Sequence, residues 1–386
     1  MEGYRVRLLE LGYTPGTVRG MLKVLGQLGR WIDDEGVGLG ELDMAAVEAF
    51  RAARRAGGDR RVASAGELRQ LVLYLREVGV MAPEDAPQGR TPLEGLIGQY
   101  RQWLVGERGL AAATVHRYET LARRFLGERV TADDEQGVAG LTGAEVSAFL
   151  VRECARLSVG SAKGRVAELR SLLRFLHLRG LTALALAEAV PPVAGWRDTG
   201  IPRTLARVEV ERLLAGCDRS RLDGVRDFAI LILLARLGLR SIEVARLELD
   251  DLDWRAGELV VRGKARRQDR LPLPSDVGEA LAAYLSQRGP HDSRRVFLTL
   301  RAPTRPVRAD LVGDVVQRAC RRAGVGHVGA HRLRHTLASE LLREGASLID
   351  VSQVLRHRDL ATTAIYAKID LGRLRQVAQP WPGARR

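Results

Sequence analysis

Gly329-Ala-His-Arg-Leu-Arg-His-Thr-Leu-Ala338 is the stretch on which the reading turns. Apolar residues recur through it and beyond at helical spacing, which predicts a helix over 331–344. His331 and Arg334 are three residues apart and therefore share a helix face, with His335 one step round. Four of the seven histidines fall between 327 and 357. A helical His-x-x-x-His pair can ligate zinc, but His331 and His335 have no carboxylate motif beside them and are interleaved with arginines, which disfavours a cation. Imidazoles among guanidiniums suit an anion, so neither a metal nor another cofactor is expected.

Downstream runs Val354-Leu-Arg-His-Arg-Asp-Leu-Ala-Thr-Thr-Ala-Ile-Tyr-Ala-Lys368. Tyr366 follows His357 by nine residues, in a short helix predicted over 361–369 that Thr362 could cap. A phenol has a reference pKa of about 10, so a nucleophilic tyrosine needs a base or strong cationic stabilisation nearby. Upstream, Arg240 lies in Leu237-Gly-Leu-Arg-Ser-Ile-Glu-Val244, where Glu243 at i+3 could anchor its guanidinium or the helix start. Glu258–Leu273 reads as two β-prone runs about a polar turn, a hairpin with Lys264 at its tip. Lysine is rare here, four among 61 basic residues, which makes one on this turn informative. Arg266, Arg267 and Arg270 beside it suit sequence-independent phosphate contacts.

Cutting a phosphodiester without a metal requires arginines to fork the non-bridging oxygens, an acid for the leaving 5′-oxygen, and a nucleophile whose covalent product conserves the bond energy. Arg240, Lys264, Arg334 and Tyr366, in chain order, supply these groups.

The 386 residues carry a formal net charge of +14, which implies a polyanionic partner, nucleic acid first. No apolar run is long enough for a membrane span and no signal-peptide pattern opens the chain, so a cytoplasmic protein is expected. Cys154, Cys217 and Cys320 stand far apart and suit neither disulfides nor zinc. Proline-rich breaks at 81–92 and 190–202 divide the chain into pieces spanning 1–82, 92–189 and 203–371, with a tail over 372–386.

The first two pieces resemble each other: Gly12–Val18 answers Gly109–Val115, Ala46–Phe50 answers Glu145–Phe149, and Glu67–Leu75 answers Glu168–Leu176. Two related helical bundles are therefore expected. In the second, Ser161, Lys163, Arg165 and Arg170 lie at or near a helix start where phosphates could bind. The third piece should be mostly helical, with helices over 207–216, 222–236, 240–247, 308–323, 331–344 and 348–356 besides 361–369, and one small antiparallel sheet.

The ordered set Arg240, Lys264, His331-x-x-Arg334, His357 and Tyr366 resembles the tyrosine recombinase (phage integrase) family over 203–371. The resemblance implies a site-specific recombinase that cleaves and rejoins double-stranded DNA through a 3′-phosphotyrosyl link at Tyr366. Arg240, His331, Arg334 and His357 would hold the phosphate, Lys264 would protonate the 5′-oxygen, and Glu243 and His335 would support them. Residues 92–189 would be a core-binding DNA domain and 1–82 an extra one. A homotetramer on two DNA sites, with the tail docked on a neighbouring protomer and room for an accessory DNA-bending factor, is what relatives suggest. A type IB topoisomerase or a noncatalytic DNA-binding regulator on the same fold are the alternatives. One departure stands out: where the family commonly has Leu-Gly-His, this chain has Leu355-Arg356-His357. A side chain at 356 should either crowd the turn or add a phosphate contact.

Overall fold

The computed structural model describes residues 1–38, 42–57, 63–81, 91–130, 138–194, 204–263 and 268–357, together with Thr363 and Tyr366. Helix predominates in them, with one three-stranded antiparallel sheet. No helix among them is long and apolar enough to cross a membrane. The chain forms two compact units, one of Met1–Val78 with Asp198–Arg386 and one of Gly79–Arg197.

The second unit holds α5 (Pro92–Gly106), α6 (Ala112–Gly127), α7 (Gly143–Cys154) and α8 (Val159–Leu178). Thr91 caps α5, and a reciprocal Thr142–Glu145 capping box opens α7. Their apolar faces meet in a core containing Tyr100, Leu104, Phe125, Phe149, Leu172 and Phe175. Each such side chain removed from water contributes about 1.5–3 kcal/mol, so this core is ample to hold four helices together. Glu119 and Glu168 are buried in the unit, the first held by Arg101 and the second by Arg117 and Arg165.

Residues 1–78 repeat that pattern with α1 (Glu2–Glu10), α2 (Pro15–Glu35), α3 (Met44–Ala56) and α4 (Ala65–Glu77). The turn before α2 bends at Gly12 (φ 82°) and that before α6 at Gly109 (φ 57°). Tyr4 packs on Tyr74 with ring centroids 4.8 Å apart, and Tyr100 on Phe175 at 5.1 Å. Phe50 of α3 and Phe149 of α7 are both buried. The copies differ at the start of the last helix. Glu67 is the third residue of α4 and caps it with Ser64, whereas α8 begins at Val159 and places Glu168 in its interior. The first bundle joins its unit through the Thr304 N–H, which donates to the Leu11 carbonyl at 2.8 Å.

The rest of that unit surrounds α10 (Leu222–Arg236), whose residues Ala229–Leu234 are all buried. A helix apolar on every side must be enclosed by neighbours, and it is. Around it lie α9 (Arg207–Ala215), α11 (Ser241–Arg246), α12 (Ser275–Arg288), α13 (Ala309–Ala323) and α14 (Ala330–Arg343), followed by α15 (Leu348–Val354). Strands β1 (Leu252–Asp253), β2 (Glu258–Arg262) and β3 (Gln268–Pro272) pair in the order β1-β2-β3, with Leu259 opposite Leu271. The β2–β3 hairpin is the one expected from sequence; its tip, with Lys264, Arg266 and Arg267, lies outside the described residues. So does most of the helix expected over 361–369, Thr362 included.

Candidate active site

Arg240 begins α11 immediately after the chain leaves α10 through Leu237-Gly238-Leu239. Gly238 has φ 56°, and a Cβ there would come within 2.9 Å of Leu355 and 3.0 Å of Leu337. Only glycine lets this turn pass so close to the helices beneath it. The approach has a use: the Gly238 carbonyl accepts a hydrogen bond from Nη1 of Arg334, and the Leu355 carbonyl accepts one from Nη2.

Arg334 is consequently 0 % exposed, its guanidinium turned inward to tie α14 to two turns. The sequence places it on one helix face with His331. His331 does sit exposed at the helix start, but i,i+3 spacing fixes a shared side and says nothing about depth. Nε of Arg334 has no hydrogen-bond partner among the described residues. Burial first, then the charges of Arg240 and Arg356, push the Arg334 pKa down from the ordinary arginine value. The site is therefore short of negative charge.

Among the described residues, the buried carboxylate here is Glu243. Oε2 accepts from the Arg240 backbone N–H at 2.9 Å and Oε1 from Arg240 Nη1 at 2.6 Å. Oε2 also accepts from Arg356 Nη2 at 3.0 Å. Burial alone would raise the Glu243 pKa, but Arg356 and then Arg240 outweigh it and hold it below the ordinary carboxylate value. Two guanidiniums thus converge on one carboxylate, with the Arg334 guanidinium near them but bonded only to carbonyls. The Arg356 side chain neither crowds its turn nor reaches outward; it folds inward, leaving the residue 7 % exposed. Its backbone takes φ 54°, left-handed, which costs an L-residue roughly 1–2 kcal/mol that the ion pair must offset. Nothing in the sequence signalled this pairing, because residues 243 and 356 meet only once α11 and the turn after α15 are assembled.

Tyr366 is 1 % exposed, packed with Ala338, Leu342, Val351 and Leu355. Its hydroxyl lies 2.7 Å from Nδ1 of His335. In the tautomer that carries its proton on Nε2, His335 accepts the phenol hydrogen. The His357 ring stacks parallel to the tyrosine at 6.4 Å, and Nδ1 of His357 lies 2.7 Å from the Thr363 hydroxyl. Burial pushes the Tyr366 pKa up, countered in part by Arg334. Burial, then neighbouring positive groups, push His335 and His357 down to about 4 each. His331 moves the same way, through desolvation and then Arg334 and Arg240. At neutral pH the proton therefore rests on the phenol, facing a neutral imidazole.

Arg240, His331, Arg334, His335, His357 and Tyr366 are thus brought together, with Glu243 and Arg356 beneath them. Among the described residues no three His, Cys, Asp or Glu side chains group as metal ligands. The expected phosphate contacts of α8 are engaged within their own unit: Arg165 pairs with Glu168 at 2.7 Å, Arg170 donates to the Val190 carbonyl at 2.7 Å, and Ser161 bonds Ser158. On the hairpin, Arg270 pairs with Glu258 at 2.8 Å.

Comparison with known proteins gives the family. Residues 203–372 match the phage integrase family. The chain is 40 % identical to a putative integrase/recombinase, y4rA, of Sinorhizobium fredii, over 97 % of this chain and 92 % of that one. It is 34 % identical to tyrosine recombinase XerD of Mycobacterium tuberculosis, over 74 % of this chain and 95 % of that one. A lambda integrase dimer bound to a COC′ core site shares the fold, with a TM-score of 0.56 at 16 % identity over 89 % of each chain. So does a XerH site-specific recombinase in a post-cleavage complex with its palindromic difH substrate, at a TM-score of 0.55, 18 % identity, and coverage of 76 % of this chain and 97 % of that one. With a relative of this identity matched over almost its whole length, and with a tyrosine hydroxyl set against histidines and arginines, the chain belongs to the phage integrase family of tyrosine recombinases.

Proposed function

We propose that the chain is a site-specific DNA recombinase in which Tyr366 is the nucleophile. The observation that carries this is the Tyr366 hydroxyl bonded to His335 beside Arg334 and two further arginines, Arg240 and Arg356, that share one carboxylate. A phosphodiester anion supplies the charge such a site lacks. Arg240 and His331, at the accessible side, and His357 contact its non-bridging oxygens. Arg334 holds the α10 and α15 turns in register and adds its field from below. His335 takes the phenol proton as the tyrosine oxygen forms its bond to phosphorus. The 5′-oxygen leaves as its own bond to phosphorus breaks, protonated by Lys264. The 3′-phosphotyrosyl link conserves the energy of the broken bond, so a 5′-hydroxyl from a second strand reverses the step without ATP or metal.

The His335 pKa of about 4 makes it a weak base while the site is empty. An anion raises the pKa of neighbouring imidazoles, so the phosphate itself prepares the base. The charge distribution supports the same partner: residues 198–386 hold 34 basic and 23 acidic residues, whereas 1–78 hold 12 and 11. The catalytic unit and residues 92–189 each bind double-stranded DNA, and exchange between two duplexes requires four tyrosines, hence a homotetramer. The tail over 372–386 docks on a neighbouring protomer, an accessory DNA-bending factor completes some complexes, and the work is cytoplasmic.

The test uses nicked suicide duplexes made from the DNA flanking the gene. Wild-type protein yields a denaturation-resistant protein–DNA adduct, with or without chelator, and Tyr366→Phe yields none while binding DNA as before. An adduct from Tyr366→Phe refutes the assignment. An adduct that never leads to strand exchange between two sites identifies a topoisomerase, and binding with no adduct a regulator.

A further inference from the structure

Arg356 stands where the family commonly has glycine, and it is the only non-glycine among the described residues with a positive φ. Its two terminal nitrogens are committed, Nη1 to the Val354 carbonyl at 3.0 Å and Nη2 to Oε2 of Glu243 at 3.0 Å. Glu243 is left one side-chain contact to Arg240, from Oε1 to Nη1. Carboxylates and guanidiniums prefer to meet as two parallel hydrogen bonds. With Oε2 taken by the Arg240 backbone N–H and by Arg356, that closure is denied to the Arg240 side chain.

We propose that Arg356 is a positioning residue for the cleavage step: by occupying Oε2 of Glu243 it keeps Arg240 on a single carboxylate oxygen and leaves the rest of its guanidinium for the scissile phosphate. The same ion pair ties the 355–357 turn to α11 and so fixes where the adjoining His357 stands. Remove the side chain, and the place freed on Oε2 takes a second N–H of the Arg240 guanidinium, drawing its fork off the phosphate. The proposal rests on the reading of Tyr366 and Arg240 as cleavage residues, and it gives this chain a device that a glycine at 356 cannot provide.

The experiment compares single-turnover adduct formation by the full chain on the flanking-DNA suicide duplex that the wild-type protein cleaves. Arg356→Gly keeps the left-handed turn without strain and is expected to slow cleavage by roughly 10–100-fold, as misplacement of a reacting group does, with DNA affinity retained. Arg356→Lys, which can still occupy Oε2, recovers much of the rate. In an Arg240→Lys background, where no two-pronged pair can form, Arg356→Gly adds little further loss. Cleavage by Arg356→Gly at the wild-type rate overturns the proposal. So does a loss of equal size in the Arg240→Lys background, or one that follows lost DNA binding, since either makes Arg356 a purely structural residue. Failure of the wild-type protein to form any adduct counts instead against the recombinase reading.

Discussion

Acid should loosen the active site of the free protein well before its carboxylates protonate. His335 and His357 have pKa values of about 4 in the fold against an ordinary 6.5. A base whose pKa is depressed by folding binds its proton more readily in the unfolded chain. Its contribution is therefore intact above pH 6.5 and is lost as pH falls from 6.5 towards 4. Between pH 7 and pH 5, linkage gives about 2 kcal/mol for each such histidine. Both rings are partly open to solvent, so the pair together is expected to cost about 2–4 kcal/mol over that interval. Glu243 acts in the same direction, because folding lowers its pKa too, but it titrates beneath this window. The assay is urea denaturation at pH 7, 6 and 5 of the wild-type protein and of the His335→Gln/His357→Gln double variant. Every other titrating group is common to both proteins and cancels in the comparison. The double variant should lose much less stability on acidification. Equal losses in the two proteins would mean that these imidazoles are not held neutral by the fold, and the proposed proton path from Tyr366 to His335 would fall with them.

Two further outcomes follow from the same geometry. Arg334→Ala strands the Gly238 and Leu355 carbonyls, each costing about 1–3 kcal/mol when left unsatisfied, so it should lower the denaturation midpoint as well as stop cleavage; a fully stable Arg334→Ala protein would show that the inward contacts carry no weight. His335→Gln can still accept the Tyr366 hydroxyl hydrogen bond but cannot take its proton, so adduct formation should slow by roughly 10²–10⁴-fold with DNA affinity retained; an unchanged rate measured by quench-flow would reduce His335 to packing.

What could be read from the sequence followed from local rules. The α14 helix was readable because apolar residues recur through 330–343 at helical spacing, and the β2–β3 hairpin because two β-prone runs flank a polar turn. The α1–α4 and α5–α8 parallel showed itself through glycines that both copies need at a bend. What escaped depends on depth and on distant partners. Helical spacing placed His331 and Arg334 on one side of α14, yet one is exposed and the other fully buried, since only tertiary packing decides how far a long side chain turns inward. His335 was read as a support because it lay off that side; it is the group that meets the tyrosine. Arg165 and Arg170 offered themselves for phosphate, but Glu168 and the Val190 carbonyl engage them first.

The departure at position 356 shows why a conspicuous residue need not act where it first points. Read along the chain, an arginine replacing glycine beside His357 either obstructs or reaches for DNA. In the fold it does neither, because it turns inward to pair with the buried carboxylate of Glu243. Accepting Arg356 there raises the positive charge of a region that already depresses the Arg334 pKa. Left empty, such a site opposes folding; with a phosphate bound, the repulsion among Arg240, Arg334 and Arg356 becomes attraction to a shared anion. The same charges therefore set two properties with opposite sign, lower stability of the free protein and stronger hold on the scissile phosphate. A chain with glycine at 356 should be the steadier protein and the slower enzyme.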